Sequence, residues 1–150
     1  MRPTTVALAG LMVAAVAAAP ASAAPKPKKP ITKTYTATAG TPDPSNYAGQ
    51  GYSVCAQNIP GSFHTEEFRA PAAGKIKVEL SGFTGDWDLL LLDGKGMEVT
   101  TGGASDVGTP QTPARETMTA KIKKPQTYKI IACNWAGGPT GTVKYTFTYA

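Results

Sequence analysis

The chain has 150 residues, of which 41% are hydrophobic and 17% charged, and its formal net charge is +5. That length holds one ordinary domain. The cation excess is modest, gathers near the N-terminus and does not interleave with stacking aromatics, which argues against nucleic acid as a partner. Two cysteines and one histidine, His64, supply no ligand spacing for a structural zinc site.

The N-terminus reads as a signal peptide over residues 1–24. Arg2 precedes an uncharged run from Val6 to Ala19, and Pro20-Ala21-Ser22-Ala23-Ala24 carries the small residues of a cleavage site. The run is shorter than the roughly 20 residues that a bilayer span needs. The mature chain is therefore expected to start near Ala24 or Pro25, to be extracellular, and to keep no stable membrane insertion. In an oxidising compartment an even cysteine count favours a bridge, here between Cys55 and Cys133. Residues 25–30, Pro-Lys-Pro-Lys-Lys-Pro, read as an extended, solvated tail, with attraction to anionic polymers as its functional alternative.

The domain is expected over residues 31–150. Ile31 to Thr38 is rich in Thr and Tyr and predicts an edge strand with Ile31, Lys33, Tyr35 and Ala37 on one face. Residues 40–51 read as loop, Tyr52 to Ala56 as a short strand, and Ser62 to Arg69 as a longer one. From Ala73 to Gly96 the pattern is strongest. Ile76, Val78 and Leu80 alternate with Lys75, Lys77 and Glu79, whereas Trp87 to Leu92 is apolar at nearly every position, the mark of a strand buried on both faces. With Asp93-Gly94 as a tight turn, this stretch is expected to form a central β-hairpin.

Met97 to Thr101 continues in β-formers, and Gly102 to Pro113 reads as the longest loop. Glu116, Met118, Ala120 and Ile122 alternate with polar residues, as do Tyr128, Ile130 and Ala132 with Lys129, and Val143, Tyr145 and Phe147 with Lys144 and Thr146. Trp135 to Gly141 reads as a Gly-rich loop between the last two strands. About eight short strands at roughly ten-residue intervals, with no helical period after the leader, predict an all-β antiparallel sandwich.

The series Phe68, Ala73-Gly74, Ile76-Lys77-Val78, Gly82 and Gly85-Asp86-Trp87-Asp88-Leu89, with the later Tyr128-Lys129-Ile130-Ile131 and Val143-Lys144-Tyr145-Thr146-Phe147, resembles the bacterial pre-peptidase C-terminal domain. The resemblance covers roughly residues 62–149. It implies a jelly-roll-like β-sandwich, accessory to secreted peptidases and not itself catalytic, with relatives that bind matrix protein and calcium.

Asp86 and Asp88 lie two apart and share a strand face, so they are candidate calcium ligands, with Asp93, Asp43 or Asp106 as further oxygen donors. The alternative is that Asp86 caps the Gly82 to Gly85 turn and Asp88 bonds backbone in a bulge. Trp87 begins a buried strand and belongs to the core. Trp135, beside Gly137 and Gly138, is the candidate contact for a sugar or a partner protein. The functional expectation is a secreted, non-catalytic binding or accessory module for extracellular protein or polysaccharide. A small secreted enzyme or peptidase inhibitor is the alternative; a Ser-His-Asp set could use only His64, and Asp86 with Asp88 could serve as glycosidase carboxylates.

Overall fold

The computed structural model describes residues 26–42, 55, 59–102 and 114–150. The leader, Asp43, Asp106, the 103–113 loop and the expected strand at 52–56, apart from Cys55, lie outside the described residues. The strands are β1 (Ile31–Thr38), β2 (Phe63–Ala70), β3 (Gly74–Phe83), β4 (Gly85–Leu92), β5 (Glu98–Gly102), β6 (Ala114–Ile122), β7 (Gln126–Gly137) and β8 (Thr140–Tyr149). They form two antiparallel four-stranded sheets, ordered β1-β8-β3-β6 and β2-β7-β4-β5. Among the described residues there is no helix. The first strand pairs with the last, the second with the seventh, the third with the sixth and the fourth with the fifth. That nesting is a jelly roll.

The alternation read from the sequence sets which side of each strand is buried. Ile76, Val78 and Leu80 of β3, Met118 and Ile122 of β6, and Val143, Tyr145 and Phe147 of β8 meet Phe68, Leu89, Leu91, Tyr128 and Ile130 of the other sheet in one core. Removing this much apolar surface from water is the main stabilising term. Aromatic rings tie the layers, with Phe68 5.2 Å from Tyr145 and 5.4 Å from Phe147 between ring centroids. β4 is buried on both sides, as its unbroken apolar run predicts. Trp87, Leu89 and Leu91 face the core, whereas Leu90 and Leu92 join Ile131, Cys133 and Cys55 in a second cluster on the outside of the β2-β7-β4-β5 sheet.

The central hairpin expected over residues 73–96 does not form. β3 lies between β8 and β6, and β4 lies in the opposite sheet between β7 and β5. The chain turns between the layers at Gly82 to Gly85, where Gly82 (φ 68°) and Gly85 (φ 84°) take left-handed backbone that a side chain disfavours. Alternation shows which face of a strand is buried but not its partner. The hairpin that does form joins β4 to β5. Asp93 closes it by accepting the backbone N–H of Lys95 at 2.8 Å and of Met97 at 2.9 Å, and these bonds hold its carboxyl below the usual range. Positive φ falls at Gly96, not at Gly94.

Cys55 and Cys133 are joined in a disulfide across 78 residues, with Cα atoms 5.6 Å apart. The bridge pins the β1–β2 connection to the outer side of β7. In the chain-entropy account a closed loop of that size stabilises the fold by roughly 4 kcal/mol. A Cys55→Ala, Cys133→Ala variant should therefore keep its β-sheet circular dichroism yet unfold about 2–4 kcal/mol more easily in urea. Coincident unfolding curves would show that the bridge adds nothing.

Candidate functional site

The residues singled out from the sequence as two separate candidates meet at one place. β4 and β7 are antiparallel neighbours, with Gly85 opposite Gly137 and Asp86 opposite Ala136. The next pair is Trp87 with Asn134, so Trp135 is an extra residue on β7, a β-bulge. The bulge turns Trp135 to the outer side of the sheet, where its indole Nε1 donates to Asp88 Oδ2 at 2.6 Å. The loop expected over Trp135 to Gly141 is accordingly a strand as far as Gly137, and β8 resumes at Thr140. Gly-Gly-Pro reads as a breaker, but here the glycines permit close pairing. A Cβ on Gly85 would lie 1.9 Å from Ala136 O, and one on Gly137 would lie 2.1 Å from Thr84 O. Only two glycines allow backbones to approach so closely.

Gly138 is held from several sides. Its N–H donates to Thr84 Oγ1 at 3.0 Å, and its carbonyl accepts from Trp87 Nε1 and from Asn134 Nδ2, each at 3.2 Å. Asn134 Nδ2 also donates to Ala39 O at 2.9 Å, tying the end of β1 to the same corner. Asn134 is only 1% exposed, at a position that the sequence reading does not single out. Its signal was present, since it continues the inward series Tyr128, Ile130, Ala132 and is polar at a core position. The outcome is a rigid shelf at Gly137 and Gly138, not a flexible loop.

Asp86 is exposed and Asp88 half-buried, both on the outer side of β4. Burial pushes the Asp88 carboxyl up to about 6; the indole hydrogen bond acts in the opposite direction, and the charge of Asp86 adds to the rise. Asp88 thus bonds the Trp135 side chain, not the backbone as the alternative reading had it. Asp93 is at the far end of β4, engaged in its own turn. Calcium needs six to eight oxygens. Among the described residues no three His, Cys, Asp or Glu side chains converge as a metal site.

His64 lies elsewhere, between the sheets at the β1–β2 edge. Its ring stacks on Tyr35 with centroids 5.5 Å apart, and its Nδ1 accepts the Thr38 N–H at 3.4 Å. Glu66, beside it on β2, is paired with Lys33. Burial raises the Tyr35 hydroxyl well above the ordinary range, with Glu66 adding to the effect. His64 is thereby tied into a strand-edge contact. A groove of about 520 Å³ lies at the opposite edge, lined by Thr100, Thr119, Lys121, Lys124 and Tyr128 among others, away from Asp88 and Trp135. Glu116 is 1% exposed on the inward side of β6.

The Asp88 shift has a pH consequence. The carboxyl binds its proton more readily in the folded chain than in the unfolded one, where the value is about 3.9. Its contribution to stability is fully present below about pH 4 and is lost as pH rises through about 6. Asp88→Asn keeps an acceptor for the indole and removes the titration. Urea denaturation between pH 4 and 7 should show the wild type losing stability relative to this variant; parallel profiles would contradict the assignment.

No family model matches the chain, and no curated protein is significantly similar to it. Among solved structures it is similar to the pre-peptidase C-terminal domain of a collagenase from Bacillus anthracis, at 13% identity and a TM-score of 0.47, over 77% of this chain and 87% of that one.

Proposed function

We propose that the protein is an exported, non-catalytic binding module that holds an extracellular polysaccharide or protein at the patch formed by Asp86, Asp88, Trp135 and the Gly137–Gly138 shelf. The observation that carries this reading is the indole of Trp135, set on a bulge and fixed by Asp88. A half-buried aromatic whose orientation is fixed before binding loses little conformational freedom on contact with a sugar or a partner side chain. Asp88 and the neighbouring Asp86 supply acceptors for hydroxyl or amide donors at the rim. The leader-like N-terminus and the Cys55–Cys133 bridge support export. An enzyme or a peptidase inhibitor is the competing reading. It would draw on His64, whose Nδ1 and ring are engaged by Thr38 and Tyr35.

The test is retention of the purified protein on neutral insoluble polysaccharides, cellulose and chitin, and on collagen, with and without added calcium. Trp135→Ala should weaken retention by about tenfold, the scale of a central aromatic contact, with Trp135→Phe intermediate. Equal retention of wild type and Trp135→Ala would rule out this patch. Turnover of peptide, ester or glycoside substrates that disappears in His64→Ala would favour the enzyme reading.

A further inference from the structure

The outer side of the β1-β8-β3-β6 sheet is a flat array that the patch at Trp135 does not use. Its register places Thr34, Lys144, Glu79 and Thr117 in one row across the four strands. Thr32, Thr146, Lys77 and Thr119 form the next row, and Thr148, Lys75 and Lys121 the one after. Arg115, opposite Ser81, completes the cations. Glu79 is the sole carboxylate among the outward residues of these strands, and Lys77 Nζ bonds it at 3.0 Å. The Lys77 hydrogen bond, with the charges of Lys77, Arg115 and Lys144, holds that carboxyl below its usual range.

An ordinary solvated sheet face mixes both signs. The outer side of the other sheet does so, with Glu67 opposite Lys129 and with Asp86 and Asp88 beyond them. The hydroxyl and lysine face differs in kind.

We infer that this face is a second binding surface, for a linear polyol-phosphate polymer. Three features select that chemistry. Cations two residues apart on a strand, such as Lys75 and Lys77, recur at about 7 Å, and Lys121 stands about 5 Å across from Lys75, a grid suited to an extended chain with regularly spaced charges. Apart from Arg115 the cations are lysines, which act as flexible point charges toward phosphate and can follow charges spaced along an extended chain. The threonine hydroxyls between them can donate to phosphate oxygens and accept from polyol hydroxyls. The outward positions carry no aromatic ring, so the stacking platform that single-stranded nucleic acid uses is missing from this face.

The experiment measures binding of the full chain to poly(glycerol phosphate), with dextran, polygalacturonate and a single-stranded oligonucleotide as comparators. The wild type should bind the polyol phosphate most tightly, and added salt should weaken that binding as released counterions are taken up again. Replacing Lys75, Lys77, Lys121 and Lys144 by Thr keeps a strand-forming residue at each position. That variant should retain the wild-type unfolding profile, lose about tenfold or more in affinity for the polymer, and keep any retention on cellulose, chitin or collagen that depends on Trp135. A charge reversal of two neighbours, Lys75→Glu with Lys77→Glu, should abolish binding. Unchanged affinity in either variant overturns the proposal, as does a wild type that ignores the polymer. Equal or tighter binding of the oligonucleotide or polygalacturonate overturns the assignment to polyol phosphate.

Discussion

The contact between Gly85 and Gly137 is the constraint on which the rest of this structure depends. There the backbones of β4 and β7 approach too closely for either to carry a side chain. Gly85 takes a positive φ just where the chain leaves β3, so the same residue that admits β7 also directs β4 into the opposite layer. With this pair fixed and Trp87 set opposite Asn134, one residue of β7 is left over. That residue is Trp135. Its place beside Asp88 follows from the backbone count and needs no long loop to deliver it.

The two sheets then differ in how they treat their outer sides. The β2-β7-β4-β5 sheet gathers Leu90, Leu92 and Ile131 with Cys55 and Cys133 on its outer side, so its β4 and β7 are buried on both faces. The β1-β8-β3-β6 sheet buries only one side and exposes threonine and lysine on the other. The bond to Cys133 holds Cys55 on the sheet that has apolar surface to hide.

Much of this was legible in the residues. The alternation in β3, β6 and β8 gave the buried side of each, and the unbroken run from Trp87 to Leu92 gave a strand covered on both. The bridge followed from cysteine count and compartment. What was hidden depends on which strands are neighbours. Ile76 to Leu80 and Trp87 to Leu92 looked like two arms of one hairpin because they are adjacent in sequence, yet each is bonded to strands far along the chain. Asp88 and Trp135 stand as separate features of the sequence, since they are 47 positions apart and only the register of β4 with β7 unites them. Trp135 was placed in a loop because glycine and proline follow it. Local composition cannot tell a glycine that breaks a strand from one that lets two strands touch.

The nested pairing has a consequence for how such a chain reaches its folded form. β4 and β5 are joined by a short turn and can meet early, but each further pair closes a longer stretch, and among the described strands β1 is bonded to β8 alone. A chain threaded through a pore from its N-terminus therefore emerges with its first strand unmatched until its last has followed. While any of the C-terminal strand is still held back, the sandwich cannot close. The order in which the pairs can close is thus set by topology.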